Sequence, residues 1–157
     1  MRNLAILGLL ALELMLIGCG SSTSSTVKTA NGTWESALIG SDAGVGVFNF
    51  ITQFSVGTGG TLSVSYLSFL TTGPCFPISG DTASGSFDVT ASGTTPAANF
   101  QFTVQSGSNT LAMTGTATGT TDSSGNITWS KITGTWTLTG GTDCAGSGTF
   151  TMTRTGG

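Results

Sequence analysis

The chain has 157 residues, enough for one domain with a hydrophobic core, yet only 7% of them are charged, far below the roughly 25% of ordinary soluble proteins. The formal net charge is −3 and histidine is absent. Without a basic patch to neutralise phosphates, nucleic acid is not expected as a partner. Without histidine the chain lacks the usual general base, zinc ligand and catalytic triad, so we expect no enzyme, no metal site and no cofactor.

The chain begins with an apolar run over residues 4–17, interrupted only by Glu13. The run ends in the string LIGC, which closes at Cys19. This string resembles the lipobox of bacterial lipoproteins, in which an aliphatic residue and two small or aliphatic residues precede a cysteine. The resemblance implies a lipoprotein signal peptide over residues 1–18, cleavage before Cys19, and acylation of Cys19 with chains such as palmitate. Several acyl chains anchor a protein firmly, whereas one anchors it only marginally.

An uncleaved membrane anchor and an ordinary secretory signal are the alternatives for this segment. A helix of the apolar run would span about 21 Å, short of the ~30 Å hydrocarbon core, and Glu13 would penalise a permanent span. Gly20 rather than Asp follows the cysteine, which favours the outer membrane by analogy with enterobacterial sorting. Residues 19–29 are then the lipidated cysteine and a flexible Ser/Thr tether, which spans about 18 Å as a coil.

Residues 30–157 show the alternation of apolar and polar residues that is typical of half-buried strands, and turn signals separate about eight such segments. The phase of the alternation changes after Tyr66 and again after Trp129, and a β-bulge would restore the inward face in each case. We predict an eight-stranded antiparallel up-and-down β-barrel in which the first strand closes on the last. A two-sheet β-sandwich is the alternative.

Three strings in this domain resemble the calycin barrels, and most closely the avidin and streptavidin family. The string GTW at residues 32–34 is similar to the opening of their first strand. Residues 132–141, ITGTWTLTGG, are similar to their seventh strand, with Trp136 at a ligand-contacting tryptophan. Residues 149–154, TFTMTR, are similar to their last strand. The resemblance implies the same barrel architecture.

The resemblance also implies roles for particular side chains. In calycins a cation of the last strand packs across the first-strand tryptophan, which here pairs Arg154 with Trp34, and the contact would be a cation on an indole face. Ser36 stands where the avidin family uses a polar residue to hold the ureido oxygen of biotin. Tyr66 and Ser68 keep a Tyr-x-Ser pattern that serves the same oxygen in that family.

The chain departs from the avidin pattern at the remaining ligand positions. Asn109, Leu111 and Met113 stand where that family has Ser-x-Thr-x-Trp, and Gly148 stands where it has an acid, so biotin is not the expected ligand. An eight-stranded barrel is either filled by side chains or holds one small ligand. Inward glycines such as Gly115 favour a cavity, and inward phenylalanines favour a filled interior. The candidate ligand-binding residues are Ser36, Tyr66, Ser68, Phe102, Met113 and Trp136.

Two cysteines, Cys75 and Cys144, remain after Cys19 is lipidated. An exported chain usually oxidises such a pair, and the closed loop of about 70 residues would contribute roughly 4 kcal/mol in the chain-entropy model. A redox or metal role would need a CxxC motif or a histidine, and the chain has neither. The segment 122–126 distantly resembles a calcium loop but lacks the alternating acids and the terminal glutamate of an EF-hand, so a turn capped by its own side chains is the simpler interpretation.

These observations predict a membrane-anchored bacterial lipoprotein whose non-catalytic barrel binds a small apolar ligand. The alternative is a filled barrel that acts as a structural or protein-interaction module of the cell envelope. The expected partners are the membrane, through the lipid anchor, and either a small apolar ligand or an envelope protein. The expected location is the bacterial envelope, at the outer membrane, with the domain facing the periplasm or the cell surface.

Overall fold

The structure is a computed structural model that describes residues 30–41, 48–70, 74–76 and 81–157. The predicted signal peptide, Cys19 and the tether lie outside the described residues. Within the described ranges, no helix is long and apolar enough to cross a membrane. The elements are β1 (Gly32–Gly40), β2 (Phe48–Val56), a 3-10 turn (Thr58–Gly60), β3 (Leu62–Phe69), β4 (Thr82–Ala91), β5 (Ala97–Ser106), β6 (Asn109–Thr121), β7 (Ile127–Thr139) and β8 (Gly146–Gly156).

The eight strands form one antiparallel sheet in the order β3-β2-β1-β8-β7-β6-β5-β4. The first strand pairs with the last along eight registered positions, as predicted. The ring of strands is incomplete only between β3 and β4, where the described residues form a single isolated bridge, Thr61 to Ser86. The fold is therefore a nearly closed up-and-down barrel, which confirms the predicted architecture over the two-sheet sandwich.

Strand alternation builds the wall of the barrel because successive side chains point to opposite faces. On β5, Phe100, Phe102 and Val104 are buried, while Gln101 and Gln105, which alternate with them, are exposed. Threonines occupy most outward positions of β6, β7 and β8, so the outer surface is hydrated with few charges.

Two-residue connections need a turn whose twist matches that of the strands. Between β5 and β6 the loop is Gly107-Ser108, and Gly107 has a φ of 58°. A positive φ at the first loop position is the requirement of a type II′ turn, which glycine meets without steric cost.

The two predicted bulges both exist, but one lies earlier than the sequence indicated. Between β6 and β7 the register shifts at Ser130, which has no partner of its own, as the phase change after Trp129 predicted. Between β2 and β3 the additional residue is Ser65, since Phe54 pairs with Val64 and Gln53 pairs with Tyr66. The phase therefore changes before Tyr66 rather than after it, which turns Tyr66 to the outer face.

The inward glycines do not leave empty space. Gly115 of β6 and Gly134 of β7 are direct cross-strand partners. A Cβ atom on Gly134 would lie 2.1 Å from the carbonyl oxygen of Thr114, and one on Gly115 would lie 3.0 Å from Cζ of Phe150. The interpretation that these glycines favour a cavity is thus wrong, because the Phe150 ring occupies the space above them.

Candidate functional site

The interior of the barrel is lined mainly by aromatic side chains. The fully buried rings come from β1, β2, β4, β5 and β7 and from the connection between β3 and β4. The fully buried ones are Trp34, Trp129, Trp136, Phe50, Phe54, Phe76, Phe87, Phe100 and Phe102.

Rings from facing walls contact one another across the interior. Strands β2 and β5 are three steps apart around the ring of eight, yet the centroids of Phe54 and Phe100 are 6.2 Å apart and those of Phe50 and Phe102 are 5.9 Å apart. Phe100 also lies 6.3 Å from Phe150 on β8, another strand three steps away. Aromatic pairs at such separations contribute about 0.5–1.5 kcal/mol each beyond their area burial. The middle of the barrel is therefore a packed aromatic core.

The same arrangement continues toward both ends of the barrel. Phe87 on β4 meets Trp129 on β7 edge to face, with centroids 5.0 Å apart. Phe48 on β2 meets Trp136 on β7 in the same way at 6.2 Å.

Three of the candidate ligand-binding residues form one row on the inner wall. Phe102 is the cross-strand partner of Met113, and Met113 is the partner of Trp136. All three are almost fully buried. The Trp136 indole donates a hydrogen bond from Nε1 to the carbonyl oxygen of Ile39, at 3.1 Å, which satisfies its polar atom inside the barrel.

The other three candidates do not come together. Ser36 is fully buried on β1, between its cross-strand partners Phe50 and Met152. Tyr66 is half exposed, and Ser68 shares its outward phase because it pairs with Ile51 on the outer face of β2. The expectation that Tyr66 and Ser68 line the interior is wrong, since the bulge at Ser65 reverses the face of these residues.

Ser36 nevertheless keeps an unusual feature: its Oγ is buried without a hydrogen-bond partner. Leaving such a group unsatisfied costs about 1–3 kcal/mol. Thr52, the buried hydroxyl on the neighbouring strand, is satisfied because it donates to the carbonyl oxygen of Tyr66 at 3.0 Å. Sequence reasoning missed Thr52, which interrupts an otherwise apolar face.

The pairing of the first and last strands begins at the end of the barrel where the domain begins. Trp34 and Arg154 are cross-strand partners. The Trp34 ring stacks on Phe54, with centroids 5.8 Å apart and planes 7° apart, and its Nε1 donates to the carbonyl oxygen of Ala30 at 3.1 Å. Arg154 donates from Nη2 to the carbonyl oxygen of Asn31 at 2.6 Å. The two side chains thus hold consecutive carbonyls of the segment that leads into β1.

The opposite end of the barrel, which we call the mouth, carries the Cys75–Cys144 disulfide, as predicted. Both cysteines are buried. The bridge joins the β3–β4 connection to the β7–β8 connection. Asp143 adopts a φ of 70° just before Cys144, a left-handed conformation that aspartate tolerates better than most residues. The turn is closed by a hydrogen bond from the Cys144 amide to the carbonyl oxygen of Gly141, at 3.0 Å.

Phe76, the residue after the disulfide cysteine, fills the mouth. Its ring stacks on Phe69 with a centroid distance of 4.4 Å and an angle of 11°, and it meets Phe48 edge to face at 5.9 Å. Asn109 donates from Nδ2 to the carbonyl oxygen of Cys75 at 2.8 Å and accepts from the Gly141 amide at 3.1 Å. Sequence reasoning missed Phe76 and did not predict this role for Asn109, and the only signal for Phe76 was its position as an apolar residue beside Cys75.

The acidic residues that the structure describes lie outside this core. Glu35 and Asp88 are exposed on the outer face. Among the described residues, no group of three or more His, Cys, Asp or Glu side chains is placed to hold a metal ion. Asp122 accepts hydrogen bonds from the side chain of Asn126 and from the amides of Asn126 and Ser124. These bonds, first the one from the Asn126 side chain, hold the pKa of Asp122 below its ordinary value and make it the cap of its own turn.

Comparison of the chain with protein-family models, with curated proteins and with solved structures found no match. The likeness to calycin-type barrels therefore rests on the fold itself, an eight-stranded antiparallel barrel whose first and last strands pair.

Proposed function

We propose that this chain is a lipid-anchored, non-catalytic protein of the bacterial envelope, and that its filled barrel acts as a structural or protein-interaction module. The observation that carries the proposal is the contact between aromatic rings of facing walls, Phe54 with Phe100 and Phe50 with Phe102. A barrel packed in this way presents its outer surface and its loops, rather than a central cavity, to other molecules.

The anchoring part of the proposal is supported by two independent features. The string that ends at Cys19 has the order and position of a lipobox, and a short Ser/Thr-rich tether separates it from the barrel. The Cys75–Cys144 disulfide is typical of compartments outside the reducing cytosol.

The filled interior is costly to open. Truncating a buried phenylalanine to alanine typically costs 3–5 kcal/mol, and a central ligand would have to displace several such rings from their partners. Interiors are packed closely enough that loss of contact is felt even for single methylene groups. This cost favours the structural or interaction module over a central binding site.

A central small-molecule site remains the second candidate because of one observation. Ser36 Oγ is buried and has no hydrogen-bond partner, and a small ligand with one acceptor or donor would satisfy it. Such a ligand would have to fit between Ser36 and the Phe50 and Met152 side chains beside it.

The anchor is tested by Cys19→Ala in the full chain, expressed in a bacterium that makes lipoproteins and fed radiolabelled palmitate. We expect the variant to lose the label and its acyl-dependent association with the membrane, while Ser21→Ala keeps both. A Cys19→Ala protein that still carries label would contradict the proposal.

The filled interior is tested on the mature protein purified in detergent. We expect native mass spectrometry to show only the protein with its acyl chains. A further small molecule at one-to-one stoichiometry in the wild type, lost in Ser36→Ala, would establish the second candidate instead.

A further inference from the structure

Phe76 differs from the other buried rings in where it comes from. The other fully buried aromatic residues belong to strands of the barrel, whereas Phe76 belongs to the connection between β3 and β4. It is 1% exposed, and its two ring neighbours, Phe69 and Phe48, belong to β3 and β2. The walls of the slot that Phe76 fills are therefore built by the barrel, and only its occupant comes from the connection.

The occupant is held by contacts other than those of its own ring. The Cys75–Cys144 disulfide ties the preceding residue to the β7–β8 connection. Asn109, at the start of β6, donates to the Cys75 carbonyl and also accepts from the Gly141 amide. Phe76 is thus fixed in its slot by a covalent bond and a hydrogen bond that act on its neighbour.

We propose that the slot at the mouth is a binding site for a free molecule the size of one planar, uncharged aromatic ring. The chain keeps the site occupied with its own Phe76, and the disulfide is what holds Phe76 there. This inference goes beyond the proposed function, because it concerns the mouth and not the packed middle of the barrel.

The geometry of the slot selects the class of ligand. Phe69 offers its ring face for stacking on the occupant. Phe48 makes an edge-to-face contact with the occupant and a second one with Trp136. Stacked and edge-to-face contacts depend on the charge distribution of an aromatic ring. A planar ring should therefore bind about 2- to 10-fold more tightly than a saturated ring of similar size.

Competition explains why the intact protein would not bind such a ligand readily. A group on a short tether has an effective concentration of millimolar or more at its own site. The disulfide restricts the tether further, so an external ring competes poorly while the bridge is intact. Removing the bridge leaves Phe76 on a longer tether and lowers its advantage, and removing the Phe76 ring abolishes the competition.

The test uses residues 20–157, which contain every residue of the barrel and avoid detergent, with fluorobenzene as the probe and ¹⁹F NMR titration as the readout. We expect Phe76→Ala to bind fluorobenzene most tightly, Cys75→Ser/Cys144→Ser to bind at least 10-fold more weakly, and the oxidised wild type to show no saturable binding. Leu70→Ala, which changes a half-exposed residue next to Phe69 in the chain, is the matched control and should behave as the wild type. Fluorocyclohexane should bind Phe76→Ala more weakly than fluorobenzene.

Each outcome decides the proposal. A folded Phe76→Ala that does not bind fluorobenzene, or one that keeps its affinity when Phe69→Leu removes the stacking wall, would overturn it. Saturable binding by the oxidised wild type would show that Phe76 is not the occupant that excludes the ligand. If Phe76→Ala does not fold, the Cys75→Ser/Cys144→Ser variant decides the question, once circular dichroism has shown that it is folded. Saturable binding of fluorobenzene by this variant, together with none by the oxidised wild type, supports the proposal. No binding of fluorobenzene by this variant refutes it.

Discussion

The joint between the first and last strands gives the sharpest stability prediction. Trp34 and Arg154 are cross-strand partners, and each holds a carbonyl of the segment before β1, that of Ala30 and that of Asn31 respectively. Removing either side chain should loosen the segment that the other one also holds. The two residues should therefore be energetically coupled, as residues that belong to one hydrogen-bond network generally are.

The magnitudes follow from burial and hydrogen bonding. Trp34 is fully buried and stacked on Phe54, and Trp34→Ala should lower the free energy of unfolding by about 4–5 kcal/mol, at the upper end for large core truncations, since it also removes a hydrogen bond. Arg154 is only partly buried, and Arg154→Ala should cost about 1–2 kcal/mol, for one charge-assisted bond and the packing of its stem. The double variant should be about 0.5–1 kcal/mol more stable than the sum of the single effects predicts.

Urea unfolding of residues 30–157, followed by tryptophan fluorescence and far-ultraviolet circular dichroism, gives the four free energies of the cycle. Arg154→Met keeps the aliphatic stem and separates its packing from the guanidinium bond to Asn31. Effects that add within error would refute the reasoning that both side chains hold one segment. An Arg154→Ala loss as large as that of Trp34→Ala would refute the ranking by burial.

Three further perturbations test other parts of the fold. Gly134→Ala should destabilise the barrel by about 1–3 kcal/mol or more, because its Cβ would clash with the backbone of β6. Gly141→Ala is the control and should be neutral or slightly stabilising, because the space around its new Cβ is open. Equal urea midpoints for the two variants would contradict the proposed close approach of β6 and β7. Cys75→Ser/Cys144→Ser should lower the free energy of unfolding by about 4 kcal/mol, given the 69-residue separation, and reduction of the wild type should reproduce this loss. Asp122→Asn should lower the melting temperature at neutral pH. Because the pKa of Asp122 is depressed in the folded state, the stabilising contribution of this carboxylate is present above its unfolded pKa and is lost as the pH falls through its folded pKa. A difference in melting temperature between the variant and the wild type that persists in acid would contradict the turn-cap assignment.

Much of the barrel was readable from the sequence because strand alternation is a local property. The inward phenylalanines of β2 and β5 and the inward Met113 and Trp136 followed from a period of two residues. The Cys75–Cys144 pair followed from counting cysteines in a chain expected to be exported. The pairing of the first strand with the last followed from the need to remove exposed edges.

The face of Tyr66 and the contents of the interior depended on the tertiary structure. A bulge is placed by the partner strand, so the sequence showed that β3 changes phase but not that Ser65, and not a later residue, is the unpaired one. Whether inward glycines leave a cavity depends on which ring reaches over them, and here it is Phe150 from two strands away.

The mouth shows the same division between local pattern and three-dimensional packing. Cys75 could be assigned to a disulfide from composition, but nothing in the local pattern around Phe76 predicts that its ring enters the barrel. That placement depends on Phe69 and Phe48 of two strands and on Asn109 of a third, which only the closed barrel brings together. The sequence by itself determined the strands and their inward faces because period-two alternation acts within each strand, whereas the filling of the interior and the closing of its mouth were decided by contacts between residues far apart in the chain.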